Sequence, residues 1–466
     1  MEFGSAGSGF RTEREKPLKK HKANECEDIT NKLPEPLVSR ILSFLPTKDA
    51  ARTSVLSRKW INRWISVSKL DLDDCLFYHP KKKTGGIQHF RNFVNRALLL
   101  TKGSTVESFS LTMTNKYDIS LLNTWISSVL IQQKIKNLCI HSKCEWSVST
   151  LASQSLFNSI FLEELVLHMF CCDIEVPIKD VYFGSLKVVK LHGIAFFNGS
   201  SPDYLSLILP VLEKFETRNC DWLFEKGVIV KAPLLKSVCI EQDVLPSPDE
   251  VHSCEIKFFD CHLKEFTFNG YAISQPIVMS DPLRAQNACA NITLSKYKDG
   301  TPEAGLRAFV LLNQFSLAKS IKFDGSEVLT QPNVAALPEF SMLSHLELGL
   351  IRFEVLFGLL QRSPILKTLT FKGIIEFDPE LLNSTPEPDC FASTLQVVKF
   401  ARVGGFEHEL CLAKSFMENC KVLERMSFSL SSQALGKSKI MEEFKEKLFS
   451  FKKGFSFAIV EFSYDN

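Results

Sequence analysis

The chain has 466 residues, 45% of them apolar, with 55 lysines and arginines against 53 aspartates and glutamates, a net charge of +2. That balance excludes a disordered chain and a charge-driven nucleic-acid binder, and no apolar run approaches the ~18–20 residues of a membrane helix. Fourteen cysteines include no C-x-x-C pair, and the near couples Cys139/Cys144, Cys171/Cys172, Cys254/Cys261 and Cys411/Cys420 lack zinc-ligand company. With no signal peptide at the start, the expectation is free thiols in the nucleus or cytosol.

Residues 1–27 show no apolar periodicity. Residues 4–9 (GSAGSG) are flexible in composition, and residues 16–22 (KPLKKHK) form a basic cluster suited to nuclear import or to an ordinary solvated tail. From Asp28 to Trp64 the pattern turns helical. Leu33, Leu37, Ile41, Leu42 and Leu45 recur at helical spacing, Pro34 stands where a helix can start, and Pro46 stops it. Thr47 can cap a second helix, and Ser57 can open a third carrying Trp60, Ile61 and Trp64. Three short helices with one apolar stripe each make a core too small to stand alone, so this unit is expected to dock on something else.

Residues 71–86 read as a loop with the exposed tract Lys81, Lys82 and Lys83. Phe90, Phe93, Val94, Ala97 and Leu98 then mark one amphipathic helix, and Leu122, Trp125, Ile126, Val129 and Leu130 a second. A short alternating pattern, L-x-x-φ-x-φ with φ apolar, starts at Val106, Ile135, Leu162, Leu186, Leu212, Leu235, Leu263, Cys289, Ala318, Leu343, Leu366, Leu395 and Leu423. The step averages about 26 residues, inside the range of leucine-rich repeats. Each unit is expected to lay down one strand and return by a helix or loop, burying its apolar face only when the next unit stacks on it. Phe266, Phe268, Phe323, Phe371, Phe400 and Phe428 stand at core positions, which accounts for much of the heavy phenylalanine content without a cofactor. From Asn383 the texture changes. A linker at residues 384–388 leads into Asp389, Cys390 and Phe391, the run 395–400, Gly404-Gly405, Glu407, and then Leu412, Phe416, Asn419, Val422, Leu423, Met426 and Phe428.

Three resemblances follow from these residues. Leu33-Pro34, Leu37, residues 41–46 (ILSFLP), Asp49-Ala50 and Ser57-Arg58-Lys59-Trp60 resemble an F-box in order and spacing. The repeats resemble the irregular leucine-rich repeats of plant F-box proteins, without the usual Asn after the strand. The stretch from Asn383 to roughly Val460 resembles the FBD domain, without its usual Trp near the start; it is expected to close with a helix over 439–449 and a strand over 456–462. The resemblance implies an α/β chain with a tail at 1–27, a three-helix F-box at 28–72, a leucine-rich-repeat solenoid at 73–382 and an FBD module at 383–466. It also implies binding of a Skp-type adaptor and, through it, a cullin-based ubiquitin ligase. Leu33, Pro34, Leu37, Ile41 and Leu45 would face that adaptor, with Trp60 packing the helices and bordering the interface.

No Walker loop, G-x-G-x-x-G, G-x-S-x-G or H-E-x-x-H is present, and no cysteine stands out as an activated nucleophile. The expectation is therefore a non-catalytic subunit that positions a protein target, without cofactor, nucleic acid or membrane. Side chains alternate along a strand, so positions two, four and six after each repeat start should share the concave face. At the sixth position stand His141, His168, His192 and then Arg218, with Lys190 and Glu216 at the fourth and Lys214 at the second. This row predicts a surface for an acidic segment, with Lys136 and Lys187 off it as controls; the plainer alternative is an ordinary solvated face. No carboxylate or cysteine accompanies all three histidines at the sixth position, which argues against a metal. Rival readings are a sensor that needs a small molecule at the same surface, and a scaffold that binds the adaptor without degradation.

Overall fold

The computed structural model describes residues 33–58, 60–78, 85–104, 106–132, 134–146, 150–151, 154–176, 180–199, 204–244, 254–271, 276–280, 285–295, 302–325, 328–430, 438–455 and 459–464. The N-terminal tail and the 81–83 lysine tract expected from sequence lie outside these residues.

The F-box helices are Glu35–Ser43, entered from Pro34, and Thr47–Arg52, entered from Pro46. A 3-10 turn at Thr53–Val55 prolongs the second helix, and of the third helix expected from Ser57 there is a 3-10 turn at Arg63–Ser66, where Asn62 at φ 62° interrupts a continuous run. Val38, Leu42, Ala50, Trp60, Trp64 and Val67 form the small core, and Ala97 of the next helix completes it. The expected docking surface is thus the chain's own first repeat. Trp64 stacks on Phe93 at 6.5 Å, and the Asp71 amide donates to Thr47 Oγ1 at 2.7 Å. Lys48 donates to the Leu76 carbonyl and lies 4.2 Å from the centre of the Phe77 ring.

The loop expected over 71–86 is in its first part the first strand of the sheet, Lys69–Asp73, followed by the 3-10 turn Asp74–Phe77. Leu70 and Leu72 are buried there, but alternation over five residues with two aspartates gives too short a signal to read. Asp74 is 3% exposed. Its carboxylate accepts from the amides of Thr114 and Asn115, both at 3.0 Å, from Thr114 Oγ1 at 2.7 Å, Asn115 Nδ2 at 2.9 Å and Tyr117 Oη at 3.1 Å. Asp74→Asn would turn an amide donor toward these donors. The expected loss is about 1–3 kcal/mol of folding stability, read by chemical unfolding.

Seventeen strands among the described residues form one parallel sheet. Lys69–Asp73, Ser108–Met113, Asn137–Glu145, Glu164–Glu175, Val188–Phe197, Lys214–Arg218 and Ser237–Glu241 follow one another in register. Glu265–Tyr271, Cys289–Ser295, Ser320–Asp324, His345–Arg352, Thr368–Ile375, Val397–Val403, Arg425–Leu430 and Ile459–Tyr464 continue the series. The repeat start expected at Cys289 moves two residues earlier. Cys289 pairs with Glu265 and Ser320, so Asn287 holds the place of Leu263 and Ala318. Small buried residues, Ala285 and Ala288, fill the core there and leave no leucine to read.

Return segments are helices at Gly86–Leu100 and Ile119–Gln132, and again from Pro302–Asn313 onward. Between them, after the short helix Gln154–Phe157, strands replace the expected helix or loop. Asp180–Tyr182, Tyr204–Ile208, Gly227–Lys231, Ile256–Phe259 and Ile277–Met279 make a second, five-stranded parallel sheet. Segments such as GVIVK alternate with period two and carry β-branched residues, so they bury Val228 and Val230 as a strand does. The second sheet ends where Gln314, 6% exposed, takes the place of a further strand. Its side chain accepts from the Met279 amide and donates to the Ile277 carbonyl at 2.7 Å.

The C-terminal FBD stretch continues the parallel sheet of the repeats. Its three strands stay in phase, and Phe371, Phe400, Phe428 and Phe462 stack across successive strands at 4.7, 4.7 and 5.3 Å. The closing helix runs Ser438–Phe455 and the final strand Ile459–Tyr464. Gly404 and Gly405 have a plain role. Their amides and that of Phe406 donate to the buried Glu409 carboxylate at 3.0, 2.9 and 2.8 Å, with Gly405 at φ 82°. This pins the start of the helix Glu407–Asn419.

Candidate adaptor and target surfaces

The helix Glu35–Ser43 is apolar on two sides. Val38 and Leu42 point into the small core, while Leu37 and Ile41, also four residues apart, are 49% and 45% exposed. Phe44 at 75% and Leu45 at 37% extend that outer face. Val55, Leu56 and Ile61 of the same small domain are exposed as well. Pro34 is exposed and Leu33 is half-buried against the core. Trp60, expected at the border of the interface, is buried inside the helices, where its ring is core. The residues missed from sequence are Phe44, Val55, Leu56 and Ile61. Phe44 could have been found, since it stands seven residues after Leu37 and three after Ile41, on the same outer stripe.

The row on the sheet face is real as a row. His141, His168, His192 and Arg218 are register partners on four successive strands. The imidazole rings of His141 and His168 meet edge to face at 4.5 Å, and those of His168 and His192 at 5.7 Å. Lys190 lies between Val166 and Glu216 on neighbouring strands.

Its charge differs from the sequence expectation. Partial burial lowers the pKa of all three histidines; for His168 the neighbouring His141 and His192 add to it, and for His192 the Arg218 guanidinium does. Each of these effects favours the uncharged ring. Arg218 is held by Asp243 at 2.6 Å and Glu241 at 3.6 Å, and Lys214 by Glu216 at 3.0 Å. Of the cations named for this surface, Lys190 makes no ion pair among the described residues. The face is therefore mixed in charge, and a uniformly acidic partner has less to meet than the bare sequence suggests. Lys136 and Lys187 are poor controls. They pair with Glu107 at 2.9 Å and Glu163 at 2.7 Å, and Lys236 pairs with Glu213 at 2.9 Å. These residues form an alternating Glu–Lys ladder at the first position after each repeat start, which charge reversal would break.

Asp73, Asp74 and Cys75 bring three possible ligand atoms within 4.8 Å of one another. Asp74 is already spent on the hydrogen bonds described above, so this cluster offers no open set of ligands.

Comparison with known families matches the F-box domain to residues 31–71 and FBD to residues 383–428, bracketing the parallel repeats. Among curated proteins, the F-box/FBD/LRR-repeat protein At3g14710 of Arabidopsis thaliana is 29% identical over 452 residues, 94% of each chain. The chain carries an F-box and an FBD domain and is similar along its length to Arabidopsis F-box/FBD/LRR-repeat proteins. The Arabidopsis F-box/LRR-repeat proteins At4g14096 and At4g14103 are 27% and 28% identical, over 86% and 75% of this chain and 87% and 92% of theirs. F-box/LRR proteins are generally non-catalytic adaptors, and the family suggests a receptor role in Skp–cullin–F-box ligases.

Proposed function

We propose that this chain is the substrate-recognition subunit of a Skp–cullin–F-box ubiquitin ligase, acting in the nucleus or cytosol. The observation that carries the reading is the outer face of the first helix. Leu37, Ile41, Phe44 and Leu45 leave a contiguous apolar surface on a small domain whose inner face is already filled. Leu33 and Pro34 flank it, and Trp60 supports it from beneath. A Skp-type adaptor covers this face and links the chain to a cullin, while the exposed face of the parallel strands takes the protein target, with the His141–His168–Lys190–His192–Lys214–Arg218 region as the proposed contact. The chain's contribution to ubiquitin transfer is then proximity, with the bond chemistry done elsewhere in the complex.

Affinity capture with the proteasome blocked tests this. Wild type should bring down adaptor, cullin and target together. A variant with the F-box face truncated should keep the target and lose the other two. Capture of cullin undiminished by that truncation would refute the reading.

A further inference from the structure

Cys139 and His141 lie two residues apart on the strand Asn137–Glu145, so both leave the same face of the sheet. The Cys139 sulfur is 3.0 Å from His141 Nε2. On the next strand His168 is the register partner of His141, and one strand further stands His192. Two donors at i and i+2 of one strand and a third on its neighbour converge on one side of a sheet. Strands ~4.8 Å apart put in-register imidazoles within reach of one ion held at ~2.0–2.1 Å by nitrogen and ~2.3 Å by sulfur. One thiolate with imidazoles is a donor set for zinc, and not for the oxygen-seeking magnesium or calcium.

We propose that Cys139, His141 and His168 form a zinc-binding site on the concave face, with the fourth position closed by His192 or by solvent. The sequence argued against a metal because no cysteine shares the histidines' position in the repeat; the cysteine that serves stands two residues earlier, on the same face. The Cys139–His141 pair is the half already assembled. The His141 and His168 rings meet at 84°, and the three donor atoms do not all lie within 4.8 Å, so closing the set requires a side-chain rotation of His168.

The protonation states shape the affinity. The half-buried imidazoles favour the neutral form, which is the ligating one. Around His168, Lys190, His141 and His192 oppose its protonation and Glu216 favours it. Burial raises the Cys139 pKa, with Glu164 and Asp71 opposing the thiolate and Ser110 and Lys69 favouring it. Zinc must therefore displace the thiol proton, and uptake should strengthen as pH rises through the neutral range.

The test is equilibrium dialysis of the full chain, stripped with chelator and kept reduced, against zinc. One equivalent should bind, and Cys139→Ser, His141→Ala and His168→Ala should each weaken it by at least about tenfold, the scale on which even the loss of a group hydrogen-bonded to a ligand acts. His345→Asn, exposed on the same sheet far along the solenoid, should change nothing. Cobalt in place of zinc should give a sulfur-to-metal charge-transfer band that vanishes in Cys139→Ser. Circular dichroism checks each variant's fold, and His168→Asn replaces His168→Ala if the latter unfolds. Zinc uptake by a Cys139→Ser/His141→Ala chain equal to wild type, or no uptake by wild type, overturns the proposal. Truncating the F-box face should leave uptake intact, which separates this site from adaptor binding.

Discussion

A chain carrying Leu37→Ala, Ile41→Ala and Phe44→Ala is expected to bind a Skp-type adaptor at least about 100-fold more weakly, a loss of roughly 2.7 kcal/mol. The folded chain itself should change little. These side chains are already 45% exposed or more, so truncation removes little packing, and surface changes of this kind stay within about 0.5 kcal/mol. That separation of effects is what distinguishes an interface from a core. Trp60→Ala makes the contrast, because Trp60 is 6% exposed and fills the centre of the small domain. It should lower both adaptor binding and stability. Titration calorimetry with purified adaptor, alongside chemical unfolding, reads the two quantities. A triple variant that binds as wild type would place the adaptor elsewhere.

Phe400→Ala is expected to cost about 3–5 kcal/mol, as removal of a fully packed ring does. Phe400 is 3% exposed and sits between Phe371 and Phe428, each at 4.7 Å, with Phe416 at 6.4 Å. The hole would open where the FBD segment joins the earlier repeats. Stability in a stacked array depends on nearest-neighbour interfaces, so the damage should stay local. Limited proteolysis should then cut the region after residue 383 first, while the F-box end stays protected. Phe170→Ala serves as the control, since that ring is 56% exposed on the same sheet and should leave the unfolding midpoint within about 0.5 kcal/mol of wild type. Equal sensitivity of the two variants would mean that the phenylalanine stack does not hold the C-terminal turns.

Repeat periodicity carried most of the fold, because leucine or phenylalanine at a fixed interval is a signal that survives irregular spacing. It failed where the core residues are small. Ala285 and Ala288 fill the turn at Asn287 without a leucine, so the start was set two residues late. It also missed the first strand of the sheet, Lys69–Asp73, which hides among aspartates; the closing strand was expected over 456–462 and lies at Ile459–Tyr464, but its pairing with Arg425–Leu430 was not legible. The second sheet was illegible for a different reason: a return segment of three to five residues carries too little pattern to be told from a loop. At the F-box, one-dimensional spacing could not separate the inner pair, Val38 and Leu42, from the outer pair, Leu37 and Ile41, since both recur every four residues. The histidine row was found in the sequence, but its charge was not, because Asp243, Glu241 and the partial burial of the rings are properties of the folded face.

Hydrogen exchange of the full chain, with and without a purified Skp-type adaptor, tests the two-surface account most directly. The account predicts new protection confined to Glu35–Ser43 and its neighbours through Ile61, with exchange across the strands from Asn137–Glu145 to Lys214–Arg218 unchanged. Protection of those strands by the adaptor, with none in the first helix, would contradict it.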